Sequence, residues 1–151
     1  MVDQSAVGHR FSEVVAHVEP GRLRYFFNTL GETNPVYRDA AVAQAAGYAA
    51  VPVPPTYLFC LEMMDATKPF EFLTALDIDL ARVLHGEQIF AYYAPVVVGD
   101  TLTFRPHVKS VTDKKGGAMT LIVVETAVTN QHGVHVADTS RTIVVRNGGN
   151  A

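Results

Sequence analysis

Val51–Ala66 reads VPVPPTYLFCLEMMDA, and the fold turns on this stretch. Its opening run, Val51 to Thr56, holds Pro52, Pro54 and Pro55. Proline fixes φ and removes a backbone donor, so the run cannot be regular structure and instead delivers the chain into the next element. The residues from roughly Thr56 to Ala66 predict a helix in which Leu58, Phe59, Cys60, Leu61, Met63 and Met64 leave little polar surface. A helix that is apolar on nearly all sides belongs inside its own domain.

Something must cover that helix, and the rest of the chain supplies strands. QIFAYYAPVVV, starting soon after Gly86, is aromatic and β-branched. TLTFRPHVKSV alternates, with Leu102, Phe104 and Val108 on one face against Thr103, Arg105, His107 and Lys109 on the other. Pro106 suggests an edge or a bulge in that strand. Hairpin punctuation at Lys114–Gly117 and Asn130–Gly133 separates AMTLIVVETAVT from VHVADTSRTIVVR, so four antiparallel strands come after the helical half. A further strand is read within His9–Val18, although its alternation is imperfect.

Two short helices precede the proline run. PGRLRYFFNTLG has proline near its first position, a Leu23, Phe26, Phe27, Leu30 stripe and Gly31 as a stop. AAVAQAAGY is capped by Asp39 and ended by Gly47. Helices first and strands afterwards define an α+β domain whose antiparallel sheet curls around one buried helix. That single domain spans residues 1–147, and 148–151 form a tail.

With 151 residues, 48% hydrophobic and 18% charged, the chain has a globular balance, and a net charge of −3 gives no basic field for nucleic acid. Its apolar runs fall far short of the roughly 20 residues of a membrane helix. The N-terminal MVDQSAVGHRF lacks the basic and apolar regions of a signal peptide, so a cytoplasmic location is expected. One cysteine, Cys60, cannot form an internal disulfide, and six histidines without ligand spacing indicate no metal.

GETNPVYRD (Gly31–Asp39), VPVPPTYL, LHGEQIFAYYAPVVVGDTL and the last three strands occur in an order that resembles the MaoC-like dehydratases and R-specific enoyl-CoA hydratases. The likeness is greatest to their N-terminal, FAS1-like dehydratase type of domain. The resemblance implies a hot-dog fold with five or six strands around the helix after VPPT. It implies an acyl thioester substrate, on coenzyme A or acyl carrier protein, and no further cofactor. Members of this family pair two hot-dog units, so a homodimer or a heterodimer with a MaoC-like subunit is expected.

Hydration of an enoyl thioester needs a base for water, an acid for the α carbon and a donor to the thioester carbonyl. The family pattern is similar to Gly-Asp-x-Asn-Pro-x-His, with the aspartate and histidine acting on one water. Gly31, Asn34 and Pro35 match it, but Glu32 and Tyr37 stand at the two working positions. Glu32 retains a carboxylate, displaced by about one methylene, and such shifts of a catalytic group cost on the order of a hundredfold. Tyr37 does not replace a histidine, because a phenol with a pKa of about 10 donates rather than accepts a proton at neutral pH. The carbonyl donor is expected among the backbone N–H groups at the start of the buried helix, so Asn34, Pro55, Thr56 and Tyr57 join His85 as candidate substrate-binding residues. Without the resemblance, Glu32 and Tyr37 read as residues that cap and pack a turn. Phe90, Tyr92, Tyr93, Met63 and Met64 read as core, Asp100 as a turn residue, and Lys114, Lys115 and Arg141 as scattered surface cations.

Overall fold

A computed structural model describes residues 2–148. Five strands, β1 (Val14–His17), β2 (Val83–Tyr92), β3 (Thr101–Lys114), β4 (Met119–Thr129) and β5 (His135–Arg146), form one antiparallel sheet in the order β1-β3-β4-β5-β2. Among the described residues the α-helices α1 (Pro20–Leu30), α2 (Ala40–Ala45), α3 (Tyr57–Asp65) and α4 (Glu71–Ala75) all lie between β1 and β2 in the chain. Among the described residues no helix is long and apolar enough to cross a membrane.

Alternation along β4, and along β3 as far as Val108, sets one face of the sheet inward. Leu102, Phe104, Val108, Ile122, Val124 and Val128 have no accessible surface. Against the β1 end of this face sits α3, whose Tyr57, Leu58 and Leu61 are also fully buried, with Leu23 and Phe27 of α1 beside them. Phe11, Ile78, Val108, Val111, Ile122 and Ile143 make a second apolar cluster, covered in part by Phe72, Leu73 and Leu76 of the α4 region. Fully burying one such side chain contributes about 1.5–3 kcal/mol, so α3 is the main anchor between helices and sheet.

The buried helix differs from its expected environment on one side. Phe59, Cys60 and Met63 are only half-buried, Met64 is 48% exposed, and the polar Glu62 is buried instead. The carboxylate of Glu62 lies 4.0 Å from the Arg141 guanidinium of β5, whose side chain is 13% exposed. Arg141 is therefore an interior partner and not a surface cation. Burial raises the Glu62 carboxyl above the usual range, and the Arg141 charge opposes that shift.

Pro106 lies in a strand flanked on both sides, not at an edge. Its carbonyl accepts from the Phe11 N–H (3.1 Å), so its absent N–H faces the side where β1 has already given way to an irregular segment. The β3–β4 ladder therefore loses no donor, and the bulge falls later, between Val108 and Ser110. Asp100 does more than begin β3: it is buried, its Oδ2 accepts from Val97 N–H (2.9 Å), and its Oδ1 accepts from Gln131 Nε2 (3.0 Å). Gly99 precedes it at φ +95°, a conformation that favours glycine.

These contacts make Glu62 and Asp100 the polar residues whose loss should be felt most in stability. Glu62→Ala leaves the Arg141 guanidinium buried without a counter-charge and should lower unfolding free energy by about 3 kcal/mol in urea titration, with the loss recovered in a Glu62→Leu, Arg141→Met double variant. Asp100→Ala removes two acceptors and should cost about 1–3 kcal/mol, whereas Asp100→Asn, which keeps one acceptor, should cost less in the same measurement.

Candidate functional site

The loop after α1 is built from its own backbone. Gly31 ends the helix in the left-handed region (φ 67°, ψ 24°), and the Glu32 N–H reaches back to the Phe27 carbonyl (3.0 Å), turning the chain sharply. Glu32 Oε1 then accepts from the Asn34 N–H (2.8 Å), and Asn34 Oδ1 accepts from the Val36 N–H (3.0 Å). Pro35 opens a single 3₁₀ turn, Pro35–Tyr37. Arg38 clamps the result: its Nε and Nη2 donate to the Glu32 carbonyl (3.0 and 2.5 Å) and its Nη1 to Asn28 Oδ1 (3.1 Å). Asp39 accepts from the N–H groups of Ala41 and Val42 and starts α2 as expected.

This frame aims Tyr37 inward, where its ring packs on Phe27 at 5.2 Å. Burial, followed by the charge of Glu32 and then Tyr48, holds the Tyr37 phenol above its ordinary pKa. It is a hydrogen-bond donor at neutral pH and not an acceptor of protons. Tyr37 lines two cavities. One, of about 390 Å³, also involves Tyr48, Pro55, Tyr92 and Tyr93. The other, of about 320 Å³, is formed with Leu23, Phe27, Val51 and Val98, and has Arg24 and Arg38 in its lining.

The structure brings Glu32, Asn34 and Tyr37 into one loop and sets Tyr37 and Pro55 on the wall of one cavity. The Pro55 carbonyl there accepts from the Tyr92 hydroxyl (2.7 Å), and burial raises the Tyr92 phenol strongly. Thr56 is exposed and precedes α3 without a side-chain cap, while the Tyr57 N–H already bonds the Pro54 carbonyl (3.0 Å). The side chain of Tyr57 is part of the core. Its ring has no exposed surface and packs on Phe26 at 5.1 Å, because the first turn of α3 points it under α1. His85 stands apart from both cavities, exposed at a bulge of β2 with its ring 5.1 Å from Phe59 and Nε2 3.0 Å from the Glu87 carbonyl.

Tyr93 is corrected, since it is not core, whereas Tyr92 packs against the core and at the same time lines the cavity. Tyr92 is half-buried on the cavity wall, and Tyr93 is 60% exposed. The Tyr93 hydroxyl donates to Asp138 Oδ2 (2.9 Å), and Asp138 Oδ1 lies 2.8 Å from His135 Nε2. Residues i and i+3 of a regular strand point to opposite faces. In β5, Val136 and Ala137 are both buried where the β4–β5 register slips, so His135 and Asp138 share the outer face and together fix Tyr93. The sequence spacing of His135 and Asp138, three positions apart, gave no signal for this cluster, because the slip that unites them is tertiary.

A family model described as "FAS1-like, dehydratase domain region" matches residues 5–139. A protein named UPF0336 from Clavibacter michiganensis subsp. michiganensis is 40% identical over 127 residues, covering 83% of this chain and 82% of its own. Among solved structures, the HadBC (3R-hydroxyacyl-ACP dehydratase) complex of Mycobacterium tuberculosis superposes with a TM-score of 0.79 at 23% identity, covering 92% of this chain and 96% of that one. The ChsH1-ChsH2 complex of the same organism gives a TM-score of 0.77 at 19% identity, with coverages of 98% and 89%. The sheet curled on α3 is thus the hot-dog fold, and the match across residues 5–139 makes this chain a member of the FAS1-like dehydratase domain family.

Proposed function

We propose that this chain is the non-catalytic, substrate-holding hot-dog half of an acyl-thioester hydratase or dehydratase, completed by a MaoC-like partner that carries the aspartate and histidine. The observation behind this reading is the state of the two working positions. One oxygen of Glu32 is engaged by the Asn34 N–H of its own turn, and Tyr37 is a phenol with a raised pKa packed on Phe27. A phenol so placed does not take a proton from water at neutral pH, and Glu32 has one carboxylate oxygen committed to its own turn. The frame that presents them is nevertheless intact, which suits a surface retained for its shape. The substrate is an acyl thioester on coenzyme A or acyl carrier protein, and the chemistry asks for no other cofactor.

A partner surface accompanies this reading. β2 ends the sheet as a ten-residue strand, and Leu84 (63% exposed) and Ile89 (51%) put apolar surface on that edge. An open edge with apolar side chains invites a second sheet. The HadBC and ChsH1-ChsH2 relatives are both named as complexes, which supports a second hot-dog unit as the occupant.

The purified chain, mixed with crotonyl-CoA and followed by loss of conjugated thioester absorbance, should show no turnover alone, and turnover should appear on adding a MaoC-like chain with the intact pattern. Glu32→Gln should then leave the combined rate within about twofold. Robust turnover by the chain alone, abolished by Glu32→Gln, would sink the proposal and make Glu32 the working base of a self-sufficient hydratase. Tight acyl-CoA binding without turnover under any pairing would instead make the chain a binding protein.

A further inference from the structure

The two cavities beside the loop share one floor and one wall. Their floor is a short two-stranded ribbon: the Val53 N–H donates to the Val96 carbonyl (2.9 Å), the Val98 N–H donates to the Val51 carbonyl (2.9 Å), and Pro52 bridges Val97 between them. Pro52, Val53 and Val96 lie under the cavity next to the start of α3, while Ala50, Val51 and Val98 lie under the other. A single residue, Tyr37, belongs to both linings.

The two compartments differ in character. The first is rimmed by the phenols of Tyr48, Tyr92 and Tyr93 and includes Pro55 beside α3, so it has polar groups for a thioester head. The second is walled by Leu23, Phe27, Val51 and Val98, a surface suited to hydrocarbon, with Arg24 and Arg38 completing the lining. The wall between them is held rigidly. Tyr37 rests on Phe27, its N–H donates to the Asn34 carbonyl (3.2 Å), and the adjacent Arg38 ties the loop to the end of α1 through Glu32 and Asn28.

Resting on the acyl-thioester reading, we propose that Tyr37 is a specificity-determining partition: its ring confines the acyl chain to the compartment beside α3 and closes off the apolar compartment behind it. Short chains fit in front of the ring. Longer chains would need the second compartment, and the ring stands between. The residue at the lost histidine position thus acts by bulk, which explains how a position without proton chemistry still serves the site. Arg38 is a positioning residue for that wall, acting through the loop and not on the ligand.

The test is calorimetric titration of the wild-type chain, Tyr37→Phe and Tyr37→Ala with saturated acyl-CoAs from butyryl to dodecanoyl, and with free dodecanoate as a probe independent of the thioester. Tyr37→Ala should bind dodecanoyl-CoA at least tenfold more tightly than the wild type, the effect of burying about two further methylenes, while butyryl-CoA shifts far less. Tyr37→Phe keeps the ring and should keep the short-chain limit. Should Tyr37→Ala fail to fold, Tyr37→Leu, which retains apolar packing on Phe27, carries the same comparison with a smaller gain. An unchanged chain-length profile in the truncated variant, or an equal change in Tyr37→Phe, would overturn the partition. If no thioester binds any variant but dodecanoate gains affinity only on truncation, the thioester reading fails while the partition stands; if dodecanoate gains nothing either, both fail.

Discussion

Everything in this molecule depends on the burial of α3 in the hollow of the sheet. Tyr57, Leu58 and Leu61 lose all their accessible surface against Leu102, Phe104, Val128, Val136 and Ala137. Twisted antiparallel strands curl, and a curled sheet leaves a hollow that only a helix rich in apolar side chains can fill without stranding polar groups. The seat of α3 also fixes the functional region, because the proline run that ends at its first turn forms the floor ribbon with Val96–Val98. The same placement explains Glu62. The face of α3 that carries Leu58 and Leu61 into the core also carries Glu62, whose carboxylate meets Arg141, while Met64 on the other side stays exposed.

The loop from Gly31 to Asp39 shows how a site's shape and its chemistry separate. Its conformation is held by backbone donors, by Asn34 and by the Arg38 clamp, none of which depends on what side chain stands at position 37. A substitution there can exchange an imidazole for a phenol while the frame persists. Glu32 participates in the frame through one carboxylate oxygen, so it serves the turn whatever else it does. The turn-capping reading and the family reading of these residues are therefore compatible, the first describing how the loop is held and the second describing what it faces.

Strand content, the α1 stop at Gly31, the Asp39 cap and the nature of α3 were legible in the letters because each depends on neighbours within a turn or two. The failures have a common cause. Tyr57 reads as a substrate-side residue at the start of the buried helix, yet its ring is carried beneath α1 by residues far away in sequence. Tyr92 and Tyr93 look like two more strand aromatics, yet they lie where β2 ends beside Pro55 and the slipped register of β5. Arg141 alternates like any outward cation until the inward-turned Glu62 draws it under the helix. α4 lacks a stripe long enough to announce itself, and its packing on the second apolar cluster is what makes it a helix.

By itself the sequence determined the fold class and the family, because period-two strands, proline-delivered entry to an apolar helix and an ordered set of loop motifs are local patterns that packing reinforces. It also determined that the two working positions of the loop hold Glu32 and Tyr37. Only the tertiary structure decided that Tyr37 stands between two cavities, that Glu32 is tied into its own turn, and that His135 and Asp138 meet beside Tyr93. The placing of Tyr37 and the meeting at Tyr93 rest on contacts between segments tens of residues apart and on a one-residue register slip, which no local propensity encodes, whereas the Glu32 contact is local and matches the turn-capping reading of the sequence.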